Sequence, residues 1–192
     1  MINRQKTCVY HHIRQNFKVY ILLSIAFTVG FGVSRMNPSD AAEIRSYVDS
    51  SEWFSVADGA FLVAVKQHMI CVLIFLLSAF SVIGIPCVLF GVGWFGYCYG
   101  TAICGLAEAY GMKSVLMILC GILPHFCLLL PWMFWYASFC ANNSFVIFLG
   151  NSDWKKNVVL PVLGAFFSGA IICVIALIQA FIEPWLLSFI VM

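Results

Sequence analysis

The sequence predicts an all-α integral membrane bundle of about five transmembrane helices, with broken or kinked central helices and one outer amphipathic helix. Three observations predict it. Of 192 residues, 63% are hydrophobic and only 9% are charged, with a net charge of +2, whereas a soluble domain carries about 25% charged residues. Apolar runs long enough to cross about 30 Å of hydrocarbon recur along the chain. Prolines and glycines fall inside those runs, where they bend or break a helix. With no basic stripe, nucleic acid is not an expected partner, and membrane lipid is.

Residues 1–18 carry Arg4, Lys6, Arg14 and Lys18 and no acidic residue, so the positive-inside rule places them in the cytoplasm. The first transmembrane helix follows over 19–33. No small-x-small cleavage site precedes Arg35, which favours an uncleaved helix over a signal peptide. Residues 34–66 read as an extracytoplasmic loop in which Asp40, Glu43, Asp49, Glu52 and Asp58 outnumber Arg35, Arg45 and Lys66. Asp40 and Glu43 have the spacing of a capping box. Beyond them Ile44, Val48, Trp53 and Phe54 give the segment an apolar face suited to the outer interface. Asp49, Glu52, Trp53 and Phe54, with Lys113 on a second outer turn, are the candidate partner-contact residues.

A four-span core is expected over 67–184. Its second span covers about 69–90 and is interrupted by Pro86, and its third covers 91–109. So little chain for two crossings puts a tight, buried or re-entrant turn between Gly84 and Gly93. The fourth span, about 115–141, carries Pro124 and Pro131 and is expected to be broken or strongly kinked. Asn142, Asn143 and the stretch 151–157 with Lys155 and Lys156 read as a cytoplasmic loop. The fifth span, 158–182, is expected to stop at Glu183-Pro184 on the outer side. The apolar tail 185–192 then lies along that interface.

Candidate chemistry is sparse. The nine cysteines form no CxxC pair, and neither His68 with Cys71 nor His125 with Cys120 or Cys127 supplies four ligands, so no metal is expected. Gly91-Val92-Gly93-Trp94-Phe95-Gly96 matches GxGxxG, but it lies in a membrane helix rather than between a strand and a helix. The pairs Gly96/Gly100 and Ala165/Gly169 instead suit close helix packing, within the bundle or in a homo-oligomer. His125 lies inside a span, where an ionisable group is a functional candidate by default. Its neutral ring is expected to donate to the carbonyl that Pro124 leaves free one turn earlier. Glu108 and Glu183 are expected to face the outer water. No catalytic constellation and no cofactor site is apparent, so the chain reads as a non-enzyme.

The order of these motifs resembles one family. Ser81-Val82-Ile83-Gly84-Ile85-Pro86, Gly96-x-x-x-Gly100-x-x-x-Cys104-Gly105, Tyr110-Gly111-Met112-Lys113, Pro124-His125 through Pro131, and Ala180-Phe181-Ile182-Glu183-Pro184 are together similar to the stage II sporulation protein M family. Leu129 stands where broader relatives often carry glutamate, Phe126 where they carry glycine, and Phe95 where a lysine or asparagine is common. The resemblance implies a role in engulfment during endospore formation. It implies a scaffold in the mother-cell membrane at the septum that gathers two peptidoglycan-degrading partners, stage II sporulation proteins D and P.

Overall fold

A chain in hydrocarbon must satisfy its backbone polar groups internally, and this one does so with helices. The computed structural model describes residues 16–35, 60–149 and 154–186, with no strand among them. Four apolar helical stretches are long enough to cross a membrane: Phe17–Ser34, Gly84–Tyr110, Lys113–Phe148 and Val158–Leu186. We label the elements α1 (Phe17–Ser34), α2 (Ala60–Ala79), α3 (Gly84–Tyr110), α4 (Lys113–Met117), α5 (Leu123–Phe148) and α6 (Trp154–Leu177). A π turn, Ile118–Ile122, joins α4 to α5, and a second, Ile178–Ile182, follows α6. This is an all-α, multi-pass membrane bundle.

Pairing across α1 and α3 fixes the course of α2. Gly93 faces Ala26 and Gly30, Gly96 faces Phe27, and Gly100 faces Phe31 and Ser34. Both sets of numbers rise together, so α1 and α3 run parallel. The helix between them, α2, must therefore return across the bundle. Its 20 residues span about 30 Å at 1.5 Å each, enough for a fifth crossing.

The α1–α3 contact is made of backbone. A Cβ on Gly96 would collide with the Phe27 carbonyl, and one on Gly30 with that of Gly93. Small residues allow this approach because lipid supplies no hydrophobic drive between helices, leaving van der Waals packing to hold them. Gly100 admits the Ser34 hydroxyl, which itself donates to the Phe31 carbonyl at 2.7 Å.

α5 is the hub, touching α1, α2, α3 and α6. His125, Leu129, Trp132, Met133, Tyr136, Ala137, Cys140, Ala141 and Ser144 form its buried stripe at helical spacing. Tyr136 is 0% exposed, stacks on Trp132 with centroids 6.1 Å apart, and meets Phe75 of α2 at 6.4 Å. Polar clips tie α5 to α6: Trp132 Nε1–H donates to Ser168 Oγ at 3.1 Å, and Tyr136 donates to the Pro161 carbonyl at 3.4 Å.

Three expected boundaries move. The turn between the second and third spans occupies 80–83, ahead of the predicted 84–93, and Val82 and Ile83 are exposed rather than buried. Pro86 does not interrupt a span. It sits in the first turn of α3, where its missing N–H has no intrahelical partner to lose. Gly84 lets α3 start against the Ser78 carbonyl. The turn is clamped from α5, where Asn143 donates to the Ala79 carbonyl at 3.0 Å and Ser144 to the Ser81 carbonyl at 2.6 Å. Asn142 and Asn143 therefore belong to the helix and not to the expected loop. Pro131 lies inside α5, and the break in this rod comes instead at the π turn before Pro124.

Gly111 closes α3 with φ +55°, a region that other residues rarely adopt. Its carbonyl accepts the Ser114 hydroxyl at 2.6 Å, and Lys113 is exposed beside it. The expected outer helix with Asp49, Glu52, Trp53 and Phe54, the basic terminus and most of the apolar tail lie outside the described residues.

Replacing Gly96 by leucine should push α1 off α3 and cost about 1–3 kcal/mol, the range for overpacking. Unfolding of the purified chain in detergent would measure this, and crosslinking between cysteines placed on α1 and α3 should fall in parallel.

Candidate functional site

Both π turns precede a proline by two residues. A proline ring inside an α-helix clashes with the carbonyl four residues back and contributes no N–H. An inserted residue widens the turn and relieves that clash. Leu123 N–H accordingly bonds the Ile118 carbonyl and Glu183 N–H the Ile178 carbonyl, each five residues back. The helix then continues through Pro124 in one rod and through Pro184 in the other. The expected stop at Glu183-Pro184 does not occur.

These two breaks meet inside the bundle. His125, one residue past Pro124, points its Nδ1 at Glu183 Oε1 at 2.5 Å. Their side chains are each 7% exposed. Glu183 is thus turned inward against α5, contrary to its expected place in outer water. On the other side of the ring, Nε2 lies 3.0 Å from the Tyr99 hydroxyl of α3. With Nδ1–H donating to the carboxylate, Tyr99 donates to Nε2 when the ring is neutral and accepts from it when the ring is an imidazolium. The expected bond from His125 to a carbonyl freed by Pro124 is replaced by these two side-chain contacts.

A fourth helix reaches the same place. Gln179, within the second π turn and four residues before Glu183, has Oε1 3.3 Å from His68 Nε2 of α2. His68 is 5% exposed and lies within electrostatic reach of His125. Its Nδ1 is buried with no hydrogen-bond partner. Aromatic rings wall the cluster: Phe126 meets Tyr99 at 4.7 Å and Phe27 at 6.1 Å. Measured along the helices, Tyr99 lies about 16 Å from the end of α3 at Tyr110 and His125 about 18 Å from Lys113. The cluster is therefore well within the hydrocarbon.

Of the residues singled out in the sequence, the structure brings together His125 and Glu183, with Pro124 and Pro184 beside them. Gly96 and Gly100 receive α1, Gly84 and Pro86 open α3, and Glu108 is exposed near the end of α3. Pro131 is exposed on α5, away from the cluster. Tyr99 and Gln179 were not anticipated, and His68 was weighed only as a metal ligand with Cys71. One signal pointed to Glu183: buried Ser168, Ile172, Ala176 and Ala180 recur every four residues, and Glu183 comes next on that face. A recurrence of four exceeds the 3.6 of an α-helix, and the π turn absorbs the excess. Among the described residues no group of three or more His, Cys, Asp or Glu could hold a metal ion.

Comparison with family models, with curated proteins and with solved structures finds no match to this chain.

Breaking a buried charge pair from one side typically costs about 3–5 kcal/mol, whereas replacing both partners by apolar residues is often neutral. His125→Leu and Glu183→Leu should each lose that much, and the double variant much less than the sum. A double-mutant cycle on unfolding in detergent would show a coupling above about 1 kcal/mol.

Proposed function

We propose that this chain is a membrane scaffold of the engulfment machinery in endospore formation, holding peptidoglycan-degrading partners at the septal membrane. On this reading stage II sporulation proteins D and P are the partners, and the chain itself catalyses nothing. The motif order that resembles the stage II sporulation protein M family supplies the specific role. One structural observation supports a scaffold in particular: the ionisable side chains buried in the core bond one another across helices. His125, Glu183 and Tyr99 join α3, α5 and the end of the last rod. The other motifs of the resemblance also lie at joints. Gly96 and Gly100 seat α1, and Ser81 is clamped by Ser144. A rigid bundle of this kind fits a protein whose working surface is an outer loop.

Partner capture is assigned to the outer segment containing Asp49, Glu52, Trp53 and Phe54, together with the Lys113 turn. The parallel course of α1 and α3 brings Arg35, at the end of α1, and the Gly111 turn to the same side of the bundle. Lys18 at the start of α1 and Lys155–Lys156 at the start of α6 share the opposite side, which on the positive-inside rule is cytoplasmic.

A second reading, proton-coupled transport, is favoured by the meeting of two broken helices at an ionisable pair, a construction that transporters use near the midplane. Solute or proton flux in liposomes carrying the purified chain would support it, and sealed liposomes would count against it.

Deleting the gene in its host and imaging sporulating cells with a membrane dye tests the scaffold reading. Arrest at a flat or bulging septum, rescued by the intact gene, is the expected result; normal engulfment overturns it. Alanine at residues 49–54 should abolish co-purification of the two partners without lowering the chain's level in the membrane. Undiminished capture would move the docking surface elsewhere.

A further inference from the structure

Each helix of the core that packs around His125 brings either a partner or a neutral wall. From α3 come Tyr99 and, beside it, Cys98; from α2 come His68 and Cys71, both within electrostatic reach of the cluster. The last rod contributes Glu183 and the neutral Gln179. From Ile21 to Ser34, α1 carries no titratable residue and presents Phe27. The formal charges nearest in sequence, Lys66, Glu108 and Lys113, are exposed. Among the described residues, nothing but the pair itself can therefore balance charge at its centre. An imidazolium against a carboxylate is neutral overall. Losing the ring proton strands a carboxylate in a low-dielectric core, and protonating the carboxylate strands an imidazolium. Either change is costly where no water solvates the charge.

We propose that Tyr99, His125 and Glu183 form a buried protonation site whose occupancy holds the two π-bulged rods together. The ligand is a proton taken from bulk water. The site is placed to act on the fold because His125 and Glu183 each sit just past a π turn, so the bond between them joins the two irregular turns. This proposal stands independently of the scaffold reading and survives if that reading fails.

The test uses the purified full chain in lipid nanodiscs. Thermal unfolding followed across pH should give a bell-shaped stability profile in the wild type. Glu183→Gln, which leaves His125 without a counter-charge, should erase the alkaline limb, and Tyr99→Phe, which removes one hydroxyl, should displace it. Identical profiles in the wild type and both variants would overturn the proposal. A second measurement holds even where Glu183→Gln does not fold. With Glu43, Glu52 and Glu108 replaced by glutamine and glutamate ¹³C-labelled, Glu183 alone reports in the infrared. Its carboxylic-acid stretch should appear on acidification in step with the loss of stability. A Glu183 band that does not change across the acid limb would refute the site.

Discussion

The contact between His125 and Glu183 is the constraint around which the rest of the bundle is arranged. Each of two rods contains a proline, Pro124 or Pro184, that is accommodated by one extra residue in the turn before it. A π turn leaves backbone geometry that is locally less regular, and in hydrocarbon such irregularity survives only where protein shields it. Facing the two irregular turns toward one another does this, with a charge-assisted bond at their meeting point. Tyr99 from α3 completes the shield, and the Phe126 ring covers it. Removal of any of these groups exposes a polar atom to a core that offers no replacement.

The opposite half of the bundle is held in another way. Toward the 80–83 turn the bonds are neutral and short-range: Asn143 and Ser144 satisfy carbonyls that α2 and its turn leave open. Those carbonyls are the usual orphans of a helix end. Here the partners come from the last turns of α5 rather than from water or a capping residue in the same strand of chain. α5 therefore carries a carbonyl clamp near one end and an ionisable latch near the other, with the Tyr136 and Trp132 packing between them. This explains why a single helix touches all the others.

The all-α membrane class and the importance of the proline and glycine positions were legible in the sequence, because they follow from hydropathy and from what those residues do to a helix. The consequences of each proline were less legible. Pro86 was read as a break when it marks a start, since apolar residues on both sides conceal which turn is the first. Glu183-Pro184 was read as a stop because a carboxylate before a proline at the end of an apolar run ordinarily faces water. Its true face was recorded only in the four-residue spacing from Ser168 to Ala180, a period between those of the α and π forms. His125 was recognised as unusual, but its partners lie 26 and 58 residues away. No local pattern names a partner at that distance. His68 drew notice only for its one-turn spacing to Cys71, and Gln179 carried no signal beyond its polarity.

A buried ionisable pair weighs differently in a scaffold and in a carrier. A carrier must expose its site alternately to the two sides, so its polar groups need a second set of partners in the other state. In this bundle the pair is bonded on both sides of the imidazole, and aromatic rings close around it. The α1–α3 contact, built from backbone against backbone, leaves little freedom for one half to rock on the other. Where packing is this close, a change at the centre is met by loosening rather than by sliding, because packed interfaces have few intermediate arrangements. The physical expectation is a bundle with one well-defined state while the pair is intact. Such a bundle fits the proposed scaffold role better than a carrier's.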